Sequence, residues 1–521
     1  MKKKYFLKLF LTLLIFINGS LFSSDDKTES NIDINKLKIK FSENIQKYTL
    51  KNGLRIILMK NGFTPTISAY LKVGIGSSNE PFDQAGTAHF LEHLLFKGTD
   101  ILGTTNYEKE KYYLKQIEID GERIDKLNKI LNDPLLTDEE IKTISKELET
   151  IKRRHKFIKK ASQKFILSEE DSKAYSLAGE VGYNAYTSMD VTNYQIKLPK
   201  NRLELWAWIE SRRFIKPVFR EFYSERDVIL EERKMRYDSK PNSLLYELFL
   251  KTAFGMSPYG KPVIGFKSNI NRLKMSETMK FFEDNYIPSR MVIAIVGDIE
   301  FEPVYELLKK YFEKIPRKEE PEFPPIEFEK QLGKKTAVLT AENTPYLITG
   351  WHKPDINHAD DIVFEVLEKL LTDGQTSRLT KRLVLDEKLA SYVSAYNGNP
   401  GKKLANNFTI FTGPYLESSY DKIQEIIKDE IKKLADEGPT EKELEKIKNN
   451  VLADFIHSLA SNSGLADSLT YYELLMNDYN KIFYFIENLQ NVNKEDIQRI
   501  IKEYITEKNN TTVYIQNPQN N

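Results

Sequence analysis

Cysteine is absent from all 521 residues. That excludes disulfides, thiolate metal ligands and a cysteine nucleophile, and it leaves imidazole and carboxylate as the strong metal ligands available. Histidine is scarce, with six in the chain, so two that stand close together carry weight. No charge of one sign dominates. The chain has 77 Lys and Arg against 76 Asp and Glu, a net charge of +1, which offers no electrostatic basis for binding nucleic acid. Apolar runs that span a bilayer comfortably, about 20 residues, are missing. What remains is 40% hydrophobic and 29% charged, the balance of a soluble chain with a real core and room for two to four domains.

One short apolar run opens the sequence. Three lysines precede Tyr5 to Ile17, which is broken only by Lys8 and Thr12, and small residues then lead into charge. This layout predicts a secretory signal peptide over residues 1–24, cleaved near Ser23 or Ser24. The expected location is exported, periplasmic or otherwise extracytoplasmic, with an uncleaved anchor as the alternative. Residues 25 to 40 are polar and join the leader to the ordered part.

The ordered part begins with YTLKNGLRIILMKN, where Asn52-Gly53 between two strand-like runs signals a hairpin. TISAYLKVG reads as the next strand. Residues 107 to 160 are densely charged, with Leu114, Ile117, Ile124 and Leu131 in a first arm and Ile141, Ile144, Leu148, Ile151 and Ile158 in a second. Pro134 separates the arms, and Thr137 with Glu140 forms a capping box. The spacing predicts an antiparallel helical hairpin with an a/d seam, an accessory arm of partner or substrate docking, within an insertion of about 107–178. The stretch SERDVILEERKMRYD reads as a helix capped by Ser224, and RMVIAIVGD as a buried strand. PRKEEPEFPPIEFEKQ, with four prolines and dense charge, reads as a linker over 316–332.

After the linker the plan repeats. FFEDNYIPSRMVIAIVGD and IIKEYITEKNNTTVYIQNP both read helix, tyrosine, turn, strand, with Tyr286 and Tyr504 in register. ITGWHKPD followed by DIVFEVLEKLLTDG gives a strand and a helix in the order of the first half. Repeated order of this kind indicates duplication.

The motif that carries chemistry is HFLEH, residues 89 to 93. Helical positions i and i+4 share a face, so His89 and His93 can offer two imidazoles to one cation. Glu92 lies beside that face, placed to accept a proton from an activated water. HxxEH is the reverse of the HExxH zinc motif. A catalytic zinc needs three protein ligands, and without cysteine the third is expected to be a carboxylate. His155, His352, His358 and His457 are poorly placed and read as ordinary surface or core residues. Glu225 and Glu232 stand seven apart on one helical face, so one can ligate while the other supports a ligand. Spacing alone does not choose between Glu231 and Glu232. A phosphate-binding reading of GIGSSN fails for want of a third glycine and of a strand-to-helix setting.

GTAHFLEHLLFKGT, then NAYTS with TNY, then ERDVILEE, in that order, resemble the pitrilysin/insulinase (M16) family of zinc metallopeptidases over nearly the whole chain beyond the leader. The resemblance implies an α+β fold of two homologous domains, 41–315 catalytic and 333–516 non-catalytic, each an antiparallel sheet with packed helices. The first carries the charged hairpin as an insertion. It implies one Zn2+ per chain held by His89, His93 and Glu232, with Glu225 as the supporting acid and Glu92 as the base that activates water. It further implies that Asn184, Ala185 and Tyr186 line an edge strand that binds an extended peptide or protein substrate. In the family four such domains close a chamber, so this two-domain chain is expected to form a homodimer, or a heterodimer with a paralogous subunit. Two departures stand out. The hairpin lengthens the spacer between His93 and Glu232. In LVLDEKLASYVSA, Val384 replaces an arginine that family members use on substrate, and Tyr392 is displaced by one position. The rival class is a catalytically inactive partner or scaffold subunit, against which the intact motif argues.

Overall fold

The computed structural model describes residues 41–62, 64–321 and 330–518. The expected signal peptide and the middle of the expected linker, residues 322–329, lie outside the described residues. Among the described residues no helix is long and apolar enough to cross a membrane.

Two sheets organise the chain. The first has strands β1 (Ile45–Thr49), β2 (Arg55–Lys60), β3 (Thr66–Val73), β4 (Val181–Thr187), β5 (Thr192–Pro199) and β6 (Met291–Gly297), in the order β1-β2-β6-β3-β5-β4. The second has β7 (Lys335–Thr340), β8 (Leu347–Lys353), β9 (Ala390–Asn399), β10 (Asn406–Pro414) and β11 (Asn510–Gln516), in the order β7-β11-β8-β10-β9. The predicted hairpin is the β1–β2 pair, with Tyr48 opposite Ile56. The expected antiparallel sheets each contain one parallel pair, β2 with β6 and β7 with β11. Removing β1 makes the two orders superimpose strand for strand, parallel pair included, so the repeat legible in the sequence is a repeat of topology.

The buried run of β6, MVIAIVG, is apolar on both faces because both faces are covered. One face packs with the helices of its own half, around Leu91, Leu94, Trp206 and Phe281. The other face, with Ile57, Tyr70, Val292 and Ala294, packs against Leu465, Ala466 and Leu469 of the helix Asn462–Leu475 from the second half. The exchange is mutual. The helix Pro241–Phe254 of the first half sets Leu245, Phe249 and Leu250 against Ile348, Val513 and Ile515 of the second sheet. Each half therefore lends one helix to close the other's sheet.

The inserted hairpin forms as the spacing predicts, with arms Tyr107–Leu131 and Asp138–Ser162 and a short helix Glu170–Leu177. Thr137 and Glu140 cap each other reciprocally. Leu127, Leu148 and Ile151 form its seam, flanked by Ile124, Leu131 and Ile144, whereas Ile141 is exposed. Ser224 does not cap its helix. That helix, Phe222–Arg233, starts two residues earlier, after Glu221 in the left-handed region at φ 58°. Phe222 is buried edge-on to Phe90, 4.9 Å between ring centroids, and this packing draws it into the helix.

Candidate metal centre

The helix Thr87–Leu95 carries HFLEH on its first two turns. Gly86 precedes it at φ 101°, and a Cβ there would lie 2.6 Å from the carbonyl oxygen of Ile264, so only glycine fits. The buried carboxylate of Glu80 accepts from the backbone N–H groups of Gly86 and Ala88 at 2.9 and 2.6 Å. It fixes the helix start and satisfies donors that the helix leaves open.

Across from this helix, Phe222–Arg233 presents Glu225 and Glu232. His89 Nε2 lies 3.8 Å from Glu232 Oε1, and His93 Nε2 lies 3.7 Å from Glu232 Oε2. The three ligand atoms are all within 4.8 Å of one another. These separations are too long for hydrogen bonds. They approach the ~3.4 Å that two bonds of about 2.0–2.1 Å subtend in a tetrahedral zinc site. Two imidazoles and a carboxylate are also a recognised catalytic zinc set. His89 Nδ1 is buried without a protein partner, so its Nε2 is the nitrogen that points to the other donors. The residues present fit one zinc ion. The geometry also distinguishes the two adjacent glutamates: Glu232 faces the histidines, while Glu231 is exposed and pairs with Lys234.

Glu225 orients His93. Its Oε1 lies 2.9 Å from His93 Nδ1, and its Oε2 lies 2.6 Å from Lys97 Nζ. Burial works against a charge on Glu225, but His93 and Lys97 outweigh it and hold the carboxyl below its usual range. Burial likewise opposes a proton on His93, and the carboxylates of Glu225, Glu92 and Glu232 overcome it and raise the imidazole. His89 moves the other way. Burial, reinforced by His93 and Arg236, pushes it down to about 3, so it stays a neutral donor.

Glu92 is buried beside the histidines, and Thr187 donates to its Oε2 at 2.6 Å. Burial, with Glu232 adding to it, raises this carboxyl against the pull of Thr187, His93 and Arg236. Thr187 ends β4, which is the terminal strand of its sheet. Asn184, Ala185 and Tyr186 precede it on that edge. Ala185 is half-buried against the core, and Tyr186 donates to Asp467 Oδ1 at 3.4 Å. The structure thus brings His89, Glu92, His93, Glu225 and Glu232 together and sets the other three on the adjoining edge strand.

Three neighbours escaped the sequence reading. Thr187 belongs to the predicted edge strand NAYT but follows the three residues read as lining it and was given no role. Lys97 is four residues after His93, and Arg236 is four after Glu232, with Nη1 3.0 Å from Glu232 Oε1. Helical spacing from each ligand would have found the last two. The remaining histidines are indeed elsewhere. His352 Nε2 meets the Ala253 carbonyl at 3.1 Å, and His155 packs on Tyr223.

The second half keeps the layout and loses the chemistry. In the helix Asp361–Thr372, the run KLLTDG takes the place of HLLFKG. Glu365, Glu368 and Lys369 then stand where His89, Glu92 and His93 do. Asn397 N donates to Glu368 Oε2 at 2.6 Å, and Lys369 Nζ reaches Asp454 at 2.9 Å. Val384 is half-buried on the core of this half. The nearby Arg382 is held by Asp429 and Glu430, and the exposed Tyr392 sits beside Tyr346 on β9.

Comparison with known proteins agrees with this division. A family model described as insulinase (peptidase family M16) matches residues 55–121, and one described as peptidase M16 inactive domain matches residues 273–451. The chain is 28% identical over 477 residues to the zinc protease PqqE of Helicobacter pylori, covering 90% of this chain and 92% of that one. It is 24% identical over 471 residues to the uncharacterized zinc protease YmxG of Bacillus subtilis, covering 89% and 96%. Among solved structures, a protease from Helicobacter pylori matches with a TM-score of 0.74 at 27% identity, covering 91% of this chain and 99% of that one. The periplasmic protease PqqL of Escherichia coli shares the fold, with a TM-score of 0.66 at 16% identity, and the match covers 92% of this chain and 48% of PqqL.

Proposed function

The chain belongs to the insulinase (M16) family of peptidases, and on that premise we propose that it is a zinc-dependent endopeptidase of exported peptides or unfolded segments, with one zinc per chain. The observation that carries this reading is the convergence of His89, His93 and Glu232 on one point, with Glu92 beside them. Zinc bound there supplies a Lewis acid and a water of pKa near about 7. The protein does the rest. His89 and His93 present Nε2, and Glu225 holds His93 by its other nitrogen. Thr187 occupies Oε2 of Glu92, which leaves Oε1 to take the proton of the attacking water and return it to the leaving amide nitrogen. The raised carboxyl of Glu92 suits both halves of that transfer.

The open edge of β4 takes an extended peptide by strand addition, with Asn184, Ala185 and Tyr186 along it, and Thr187 brings that edge to the base. The signal-peptide layout expected for residues 1–24 supports export. The two-sheet chain matches 48% of the longer PqqL chain, and Val384 leaves the second half without the family's substrate arginine. The first feature supports a dimer, and the second favours a paralogous subunit that supplies the arginine, which a homodimer would not regain. The alternative, an inactive partner or scaffold, draws support from the inactive-domain match over 273–451 and from Glu365 and Lys369, which stand in the second half where the first has its two histidines. The complete donor set of the first half favours the enzyme.

Metal content and cleavage of an unfolded peptide, measured on the purified mature chain, test the proposal. We expect one zinc per chain, activity lost to a chelator and restored by zinc, and loss of most bound metal in His93→Ala. A metal-free, inactive parent chain favours the scaffold reading. Sedimentation during the same assay tests assembly, since full activity in a strict monomer rules out the dimer.

A further inference from the structure

The helix Phe222–Arg233 has one buried stripe, Phe222, Glu225, Ile229 and Arg233. That stripe packs it toward the helix of HFLEH, while Asp227, Val228 and Glu231 on the opposite face are exposed. The inserted hairpin meets one flank, at Tyr223 and Arg226. Arg220, just before the helix, is fully buried and paired with Glu110 of the first arm, Nε to Oε1 at 2.7 Å and Nη2 to Oε2 at 3.0 Å. Tyr223 donates to the Glu118 carbonyl at 3.2 Å and lies in a notch at Gly121. A Cβ on Gly121 would fall 2.0 Å from Tyr223 Cζ. His155 of the second arm closes on the same ring, 5.7 Å between centroids. One turn further, Arg226 grips Asp125 with both terminal nitrogens, Nη1 to Oδ2 at 2.8 Å and Nη2 to Oδ1 at 3.0 Å. Its guanidinium also lies 5.1 Å from the centre of the Tyr223 ring.

We propose that the inserted hairpin is a positioning element for the metal centre, acting through Asp125–Arg226 and Gly121–Tyr223 on the helix that carries Glu225 and Glu232. The proposal rests on the zinc reading above. Gly121 and Asp125, about one turn apart on the first arm, meet Tyr223 and Arg226, about one turn apart on the helix, and Glu110 meets Arg220 just before the helix begins. Glu232 stands six residues beyond Arg226, about 9 Å along the axis. Directly beyond it, Arg233 is buried, pairs with Glu247 at 2.8 Å and donates to the Gly265 carbonyl at 2.6 Å, ahead of the wider turn Lys234–Asp238, so the hairpin supplies the restraint on the upstream side. The bidentate pair fixes both rotation and position along the axis, and the glycine notch sets the depth. Glu232 keeps its place opposite two imidazoles because the hairpin holds one flank of its helix, at Tyr223 and Arg226.

The test is zinc affinity by competition with a chromophoric chelator, on the full purified chain, with the melting midpoint of the metal-free protein measured in parallel. Asp125→Asn removes the ionic grip at little steric cost, and Gly121→Ala pushes the Tyr223 ring out of its notch. Each is expected to weaken zinc binding by about 10-fold, the scale of losses from groups that support a metal ligand. Arg226→Asp should weaken it similarly, and Asp125→Arg combined with Arg226→Asp should recover most of the loss, which a general loss of stability would not produce. Parental affinity in folded Asp125→Asn and Gly121→Ala, even with a lowered melting midpoint, would overturn the proposal and leave the hairpin a stabilising insertion. A parent chain that binds no zinc instead overturns the metal reading itself.

Discussion

Glu225 bridges His93 and Lys97, with one carboxylate oxygen 2.9 Å from the imidazole Nδ1 and the other 2.6 Å from the ammonium. The bridge leaves Nε2 of His93 free to face Glu232 and keeps Glu225 ionised. Such partners fix both the ring orientation and the basicity of a ligating histidine. Glu225→Ala is therefore expected to weaken zinc binding by about 10- to 100-fold. Glu225→Gln, which keeps an oxygen acceptor, should lose less. Competitive metal titration checks both.

Glu92 makes a separable contribution. Glu92→Gln preserves the shape and the Thr187 contact but cannot hold the transferred proton at Oε1. It should keep one zinc per chain and lose at least about 10²-fold in turnover. Turnover near the parental rate would remove Glu92 from the mechanism.

The hairpin also bears on stability. Arg220 and Glu110 are both essentially inaccessible to solvent, and Arg220 further donates to the carbonyls of Lys97, Thr99 and Leu102. Removing one member of such a pair leaves a buried charge uncompensated, at about 3–5 kcal/mol. Glu110→Ala should destabilise the protein by that order, and Glu110→Gln by less, in chemical unfolding. A hairpin shortened to a bare loop loses Glu110 as well, so it should unfold where a shortening that keeps residue 110 does not.

Acid sensitivity should appear in the second half. Asp360 pairs with Arg499. Burial resists its charge, yet the Arg499 contacts outweigh that and hold its carboxyl below the usual range. A folded-state value below the unfolded one means that protons favour the unfolded chain. The contribution is complete above the unfolded carboxylate value of about 4 and is lost as pH falls through the folded value. Asp360→Asn should melt below the parent at neutral pH, with the gap closing below about pH 4. A gap constant across that range would show that the pair is not the source.

How far the sequence alone reached is clearest at the metal centre. HFLEH is a local statement, because helical geometry places His89 and His93 on one face wherever the helix sits. The Thr137–Glu140 cap and the hairpin seam are local in the same sense. Repeated order across the linker exposed the duplication, and the shared topology of the two sheets bears it out. Glu225 and Glu232 were legible as a pair for the same reason, seven residues being two helical turns.

Non-local packing decided the rest. Spacing could not separate Glu231 from Glu232, because which face of a helix meets a distant histidine depends on the buried stripe Phe222, Glu225, Ile229 and Arg233. Ser224 looked like a cap until the burial of Phe222 against Phe90 extended the helix past it. The parallel pairs β2–β6 and β7–β11 join segments far apart in the chain, and the mutual loan of helices between the halves has no local signature, since an apolar stripe does not say which sheet it will cover. The hairpin read as an independent arm because its seam is self-sufficient in sequence. Only folding sets Asp125 against Arg226 and Gly121 beneath Tyr223. Periodicity records what a segment buries, while its partner is chosen by the closing of the whole chain.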